Sequence, residues 1–470
     1  MKKIALLCLA FILTISSTSC SWFKNDDVSV ENGIPLVYTE VEDGYEVSAM
    51  SSAYQIALGM SGIKLSELII PSEYNGKPVV SIADDAFNSF IHLKTVEIPE
   101  TVKRIGEGAF SLCSQLKSIT IPDSVVSVGA SAFIDCVLLQ SVTISKQLKV
   151  IEDFTFSGCV LLNEVNFQEE SQLTHIGYGA FGMCLALKNI NIPANVEVIE
   201  AEAFSQCALL ERVEFENITN LKSIGYGAFM GAPLYLYERD GWRYLGSTDY
   251  PWYALIESKD ENATSCNIKN DTKVICNSAF SRNTDITISE NNQNFKLIDG
   301  SLYNYDGTKL IKYMRQNDET TFEVPNCVID ISDGAFRMCD FLTDVVLPNS
   351  LVTIGDIAFQ GCKSLVNINI PNGVTTLGIA SFAGCDSLTN IIIPNSVKVI
   401  DVQAFTSCDS LKSINIPDSV IYLGSAAFSG CFSLKDAVIS GGLTCIDDNT
   451  FNLCVALENV VIPTSIKKIG

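Results

Sequence analysis

The sequence predicts an α/β solenoid, in which short coils of chain stack on one another, and three features support this prediction. A phrase containing Ile-Gly, Ala-Phe-x-x-Cys and Ile-x-Ile-Pro recurs along most of the 470 residues, at a period mostly of 23 residues, as from Phe110 to Phe133. Alternating β-branched residues in each copy indicate a short strand. The Ala-Phe-x-x-Cys spacing favours a brief helical or 3₁₀ turn. A unit this short cannot bury its own apolar face, so adjacent coils must share a core.

The phenylalanine of each copy marks fourteen coils. These residues are Phe87, Phe110, Phe133, Phe156, Phe181, Phe204, Phe229, Phe280, Phe336, Phe359, Phe382, Phe405, Phe428 and Phe451.

One copy, residues 113–136, shows how each side of a coil follows from the sequence. Residues 118–121 alternate between polar and apolar side chains, as in a strand with one buried face. Pro122 has no backbone N–H to donate and ends that strand. Gly129 permits a tight corner, and residues 132–136 close the third side. Equivalent strands are expected to pair in parallel and form one continuous sheet.

The repeat resembles the BspA-like leucine-rich repeats of bacterial surface proteins over roughly residues 68 to 470. The combination is specific, because Ile-Pro-Asp-Ser-Val at 416–420 and Ala-Phe-x-x-Cys at 427–431 recur together. The resemblance implies a right-handed leucine-rich-repeat superhelix with short helical or 3₁₀ turns. It also implies adhesion to host matrix proteins or to other cells, with which members of the family are associated.

Most of the 17 cysteines occupy one position of the repeat. Stacked coils would place them about 4.7 Å apart with parallel Cα–Cβ vectors, whereas a disulfide needs side chains that turn toward each other. We therefore expect a ladder of small buried hydrophobic residues, with a metal or redox array as the alternative. Cys266 and Cys276 lie outside the ladder, and a disulfide between them is a further possibility. The ladder residues are Cys113, Cys136, Cys159, Cys184, Cys207, Cys339, Cys362, Cys385, Cys408, Cys431 and Cys454.

The N-terminus predicts export. Lys2 and Lys3 precede an apolar run at 4–15 that is too short for a membrane span but typical of a signal peptide. Ser17 to Cys20 resembles a bacterial lipobox with Cys20 as the acylated residue, although Leu is commoner where Ser17 stands. Charged residues at 24–27 resemble the flank that directs some lipoproteins to the outer face of the outer membrane. The alternatives are ordinary secretory cleavage and a periplasmic location.

The repeat register and its interruptions predict the organisation of the chain. Asp306-Gly307 is a hairpin turn signal within 302–310. The predicted segments are a signal peptide at 1–20, a tether at 21–35, an N-terminal cap at 36–67, leucine-rich repeats at 68–231, irregular repeats with an aromatic insertion and a β-hairpin at 232–322, and further repeats at 323–470 with the last coil incomplete.

Charge and motifs narrow the classes of function. A net charge of −23 disfavours nucleic acid and anionic lipid headgroups as partners, so membrane contact is expected through the lipid anchor alone. The two histidines, His92 and His175, stand several coils apart, which argues against a histidine zinc site or a catalytic triad. No phosphate-binding loop, dinucleotide fingerprint or nucleophile elbow occurs. We expect no enzyme, no cofactor and no metal.

The first candidate binding surface is a stripe on the predicted sheet. The residue between the two inward isoleucines of each strand should face solvent, and in the C-terminal repeats this position is often apolar. Such a stripe is typical of a contact surface for a host or neighbouring-cell protein, although β-branched residues also simply suit strands. The stripe residues are Val346, Asn369, Ile392, Asn415, Val438 and Val461.

The second candidate is the aromatic insertion, where Trp242, Tyr244, Trp252 and Tyr253 are the proposed contacts within a larger cluster that includes Tyr235, Tyr237 and Tyr250. Aromatic rings with a polar tip suit a protein hot spot or stacking against a sugar. The alternative function is therefore a glycan-binding surface lipoprotein. Packing of the irregular segment itself is the structural alternative.

Overall fold

The computed structural model describes residues 27–31, 34–49, 66–260, 263–281, 284–314, 319–439, 441–447 and 449–470. They form a β-solenoid of about 16 turns with mainly parallel strand pairing, which confirms the solenoid prediction. The helical part of the α/β prediction is not confirmed. Among these residues the helical structure consists of a single 3₁₀ turn, Ile218–Asn220, and no helix has the length and hydropathy that a bilayer crossing requires.

The first side of each coil carries the strand predicted from Ile-x-Ile-Pro. Neighbours pair in parallel at the repeat spacing, as where Val142 lies opposite Ile119. The sheet is not continuous as predicted: residues 391–393 form no strand, and the pairing divides into groups of two or three strands. The first-side strands are Glu67–Ile69, Thr95–Glu97, Ser118–Thr120, Ser141–Ile144, Glu164–Phe167, Asn189–Ile192, Arg212–Phe215, Ser265–Ile268, Asp285–Ile288, Thr321–Glu323, Asp344–Val346, Asn367–Ile368, Ser413–Ile416, Asp436–Ile439 and Asn459–Val461.

The second side, which ends at the Ile-Gly step, carries a ladder of its own that the sequence did not predict. Its strands are mostly two residues long, yet five of them belong to the longest sheet, which has eight strands. These strands are Lys77–Ile82, Arg104–Ile105, Ser127–Val128, Val150–Ile151, His175–Ile176, Val198–Ile199, Ser223–Ile224, Val274–Ile275, Asp330–Ile331, Thr353–Ile354, Thr376–Leu377, Val399–Ile400, Tyr422–Leu423, Cys445–Ile446 and Lys468–Ile469.

The third side is a chain of turns because its amides alternate between two kinds of partner. The amides of Ala109, Ser111 and Cys113 donate to the carbonyl three residues earlier, whereas those of Gly108, Phe110 and Leu112 donate to the next coil. A helix needs consecutive local bonds, so every second bond to a neighbouring coil prevents one. The alternation also gives positive φ to Gly108, at 58°, and to Leu112, at 59°, which lie two residues before and two residues after Phe110.

The core is a set of ladders that run along the stack. The repeat phenylalanines lie in the coil interior, where all are buried except the half-buried Phe451. Successive rings are stacked 4.8 to 5.7 Å apart. Beside them the cysteine thiols donate to the phenylalanine carbonyl of the preceding coil, as Cys385 does to Phe359 at 3.3 Å. Each coil therefore depends on its neighbour for apolar cover and for hydrogen bonds.

The chain divides into two compact units, residues 1–173 with 180–187, and residues 174–179 with 188–470. The first contains the antiparallel strands Asp27–Glu31, Ile34–Val41 and Gly44–Ala49, and Glu73–Tyr74 paired with Lys77–Ile82. The second contains two antiparallel insertions: Tyr237–Arg239, Trp242–Leu245 and Ala254–Ser258, and then Phe295–Ile298, Ser301–Asn304 and Lys309–Lys312. The turn at Asp306-Gly307 joins the last two strands, with Gly307 at φ 78°.

Candidate functional site

The six stripe residues all lie exposed on the first side of the C-terminal coils, and we call this surface the strand face. Alternation along strands such as Ser413–Ile416 buries the two isoleucines and exposes the residue between them. Ile392 is 75% exposed, Val461 56% and Val346 52%, whereas Val438 is 38% exposed. Apolar side chains this accessible, aligned over several coils, form a row available to a partner.

Part of the strand face is concave. Val346, Asn369 and Ile392 line a depression of about 460 Å³. Asn369 is held in place there, because its Oδ1 accepts from the Leu347 amide and its Nδ2 donates to the Leu347 carbonyl, both at 3.2 Å. Two side-chain hydrogen bonds thus fix the amide at the edge of the depression.

A polar row beside the stripe was missed from the sequence. It occupies the position two residues before the stripe, at Asp344, Asn367, Asn390, Ser413, Asp436 and Asn459. Amides and carboxylates in this row bond from coil to coil, with Asn367 Nδ2 donating to Asp344 Oδ1 at 3.1 Å and Asn459 Nδ2 to Asp436 Oδ1 at 2.7 Å. The strand face therefore combines an apolar row with an adjacent row of hydrogen-bonding groups, a composition typical of protein interfaces. The signal in the sequence is the recurrence of Asn and Asp at one repeat position.

The aromatic insertion is largely a local core. Trp242, Tyr244 and Tyr253 are buried, which removes these three side chains from the surface that the sequence predicted. Trp242 packs against Phe280 with ring centroids 5.4 Å apart, because the antiparallel strands need apolar cover of their own. Trp252 is half-buried under the guanidinium of Arg239, whose carbon lies 4.5 Å from the ring centroid. Tyr235, Tyr237 and Tyr250 remain exposed.

The cysteines have the environment of structural thiols. Burial raises the pKa of Cys408 to about 12, so the thiol stays protonated at neutral pH and is a poor nucleophile and metal ligand. The ladder interpretation is therefore favoured over a metal or redox array. Cys266 and Cys276 are both free thiols, so no disulfide joins them. Cys20, the predicted lipidation site, lies outside the described residues.

A cluster of carboxylates that the sequence did not indicate lies within the second unit. Glu200, Asp333 and Asp356 bring one oxygen each within 4.8 Å of one another, close enough to share a cation. Burial raises the pKa of Asp333 to about 6, and the nearby charge of Lys309 opposes that shift. Because an ammonium already neutralises part of this charge, the cluster fits an ionic junction between distant coils.

Cation and ring contacts complete that junction. The guanidinium of Arg337 lies 4.6 Å from the ring centroid of Tyr226 and donates to its hydroxyl at 2.8 Å. The ammonium of Lys312 lies 5.6 Å from the same ring. These contacts connect coils more than a hundred residues apart in sequence, and the nearby Asp333 is half-buried.

Comparison with known proteins identifies the repeat. The profile of the BspA type leucine rich repeat region matches residues 80–211, 127–236, 312–408 and 376–470, which together cover more than half of the chain. No curated protein matches the chain.

Several solved structures are similar. A leucine rich cell surface protein from Faecalibacterium prausnitzii is 23% identical over 93% of this chain and 95% of that chain, with a TM-score of 0.33. A leucine-rich repeat protein from Bacteroides ovatus is 25% identical over 85% of this chain and 99% of that chain, with a TM-score of 0.36. A T. pallidum leucine rich repeat protein is 26% identical over 46% of this chain and 90% of that chain, with a TM-score of 0.36.

Proposed function

The chain belongs to the BspA-type leucine-rich repeat family, and from this premise we propose that it is a cell-surface binding protein that recognises a host or neighbouring-cell protein through its strand face. The observation that carries the proposal is the exposed apolar row at Val346, Ile392, Val438 and Val461 beside a hydrogen-bonding row. Neither row is needed for the core, because buried neighbours such as Val345, Ile391 and Ala437 already supply it.

The geometry supports a large partner. The strand face extends over successive coils that lie about 4.8 Å apart, so its relief is shallow and its length grows with the number of coils. The depression at Val346, Asn369 and Ile392 occupies only part of this face, whereas small molecules generally need a concave pocket that buries most of their surface. A protein that lies across several coils could instead contact the apolar row and the Asn and Asp side chains together.

The location is part of the proposal. A lipid on Cys20 would hold the solenoid at the outer membrane, with the strand face directed to partners outside the cell. The signal-peptide pattern and the lipobox-like residues support this placement. The proposal assigns no catalysis, cofactor or metal to the chain.

The experiment compares adhesion of cells that carry the native chain with that of cells carrying the triple variant Val346→Asp, Ile392→Asp and Val438→Asp. Three carboxylates on the apolar row should reduce adhesion to host cells at least tenfold, because a charge buried without a partner opposes binding. Circular dichroism should remain native, because all three side chains are exposed.

The matched control changes the equivalent positions of the N-terminal coils, Thr120→Asp, Thr143→Asp and Asn191→Asp, which adds the same charge to residues outside the apolar row. We expect this control to adhere like the native chain. Equal adhesion by both triple variants would remove the strand face as the binding surface.

A further inference from the structure

A second concave site lies in the middle of the second unit, away from the strand face. Its walls are the coil segments 219–223 and 273–277 and the hairpin segments 293–295 and 304–311, which together enclose about 470 Å³. This volume is in the range of small-molecule sites, roughly 300 to 1,000 Å³. We call it the hairpin hollow, because the hairpin supplies one of its walls.

The hairpin hollow contains a buried polar group that the protein itself leaves unpaired, beside a buried side-chain amide. The amide belongs to Asn277, which is 7% exposed and lines the hollow. Ser332 also lines the hollow at 3% exposure, and its hydroxyl makes no hydrogen bond with the residues that the structure describes. Buried polar groups are normally satisfied, so the unpaired hydroxyl of Ser332, in the same cavity as the Asn277 amide, indicates a polar ligand.

The hollow also contains a cation that is available to a ligand, although the whole chain is acidic, with a net charge of −23. Three lysines line it, Lys222, Lys273 and Lys309, against the single carboxylate of Asp306. Lys222 pairs with Glu197 and Lys309 with Asp330. Lys273 forms no ion pair with the described residues, so its ammonium is available to an anion.

We propose that the hairpin hollow binds an acidic sugar, a ring that carries several hydroxyl groups and one carboxylate. Lys273 pairs with the carboxylate, and the amides of Asn277 and Gln293 each donate to and accept from hydroxyl groups. Tyr305, which is 54% exposed at the rim, packs its ring against the face of the sugar. Inorganic phosphate fits less well, because its oxygens mainly accept and would leave the Asn277 carbonyl without a donor.

This inference does not rest on the strand face, which shares no lining residue with the hairpin hollow. The test is calorimetric titration of the full chain with glucuronate, and with glucose and inorganic phosphate as comparators. We expect saturable glucuronate binding in about the millimolar range. Glucose, which keeps the hydroxyl groups but lacks the carboxylate, should bind on the order of tenfold more weakly.

Lys273→Met should weaken glucuronate binding by about tenfold through loss of the charge-assisted bond. Lys398→Met is the matched control, because Lys398 is an exposed lysine at the same repeat position in a coil outside the hollow, and it should leave glucuronate binding unchanged. Asn277→Leu should abolish binding. If that buried variant fails to fold by circular dichroism, Gln293→Ala at the exposed rim should still lower affinity several-fold.

Three results would overturn the inference. No heat change up to about 10 mM glucuronate would show that the hollow has no such ligand. Phosphate binding tighter than glucuronate would indicate a simple anion site. Equal losses from Lys273→Met and Lys398→Met would place the bound sugar elsewhere on the chain.

Discussion

Two glycine-to-alanine changes in the C-terminal coils should have very different effects on stability. Gly424 is the glycine of an Ile-Gly-type step and has no positive φ, whereas Gly384 lies on the turn side at φ 69°. An added Cβ at Gly424 would lie 2.6 Å from the Asp401 carbonyl carbon and 2.7 Å from the Val402 Cα, both backbone atoms of the preceding coil. An added Cβ at Gly384 would have its nearest neighbour at 3.7 Å.

The magnitudes follow from these contacts. Gly384→Ala introduces only the strain of an alanine at positive φ, about 1–2 kcal/mol, part of which is offset by the lower entropy of the unfolded chain. The chain already places Ala380 and Ala426 at φ 49° and 54°, so alanine is tolerated in this conformation. Gly424→Ala must separate two coils, and overpacking of this kind costs roughly 1–3 kcal/mol or more. We expect Gly424→Ala to be the more destabilising change by about 2 kcal/mol.

Urea unfolding of both variants, followed by circular dichroism, measures the difference as a shift of midpoint at constant slope. The reasoning fails if Gly424→Ala is no more destabilising than Gly384→Ala. That result would show that the corner relaxes to accept a side chain, as it does at Asp401 in the preceding coil.

Three further outcomes are expected. In the folded chain a thiol reagent should label the exposed Cys327 quickly and Cys408 only after unfolding, because Cys408 is buried and its pKa is raised to about 12. Equal labelling rates would contradict a cysteine ladder that is closed to solvent. Burial raises the folded pKa of Asp333 to about 6 from 3.8, so its ionisation destabilises the fold as the pH rises through this window. Asp333→Asn should therefore raise the melting temperature at pH 7, with a gain that shrinks toward pH 3.8; a loss of stability at pH 7 would mean that its ionic contacts outweigh its burial. Asn369→Ala should lower the free energy of unfolding by about 1 kcal/mol, because the backbone amide and carbonyl of Leu347 both lose their side-chain partner. An unchanged urea midpoint would show that water replaces the Asn369 side chain.

The repeat made the fold predictable, but it did not show why particular residues, such as the corner glycines, occupy their positions. Gly129 was expected at a corner for its backbone freedom, yet it has no positive φ and is needed because the backbone of Glu107 and Gly106 comes too close for a Cβ. The left-handed positions lie elsewhere, often at larger residues such as Leu112. Sequence composition cannot show them, because each is imposed by hydrogen bonds from coil to coil.

The site was predictable only where the strand period applies. The two-residue repeat of side-chain direction along a strand correctly predicted that Val346 and Ile392 are exposed. In the aromatic insertion no period was available, and Trp242 and Tyr244 are buried because three antiparallel strands cover them. The carboxylate cluster could not be foreseen, because it joins coils that are far apart in sequence.

The measurement that tests the central claim most directly is photo-crosslinking from the strand face on intact cells. A benzophenone side chain replaces Ile392 in one variant and Ile421 in another; both isoleucines are exposed, 75% and 67%, but Ile421 lies off the strand face, just before the second-side strand Tyr422–Leu423. Irradiation in the presence of host cells should join a discrete protein to the chain from position 392 and none from position 421. Equal adducts from both positions, or none from 392 while adhesion persists, would contradict protein recognition by the strand face.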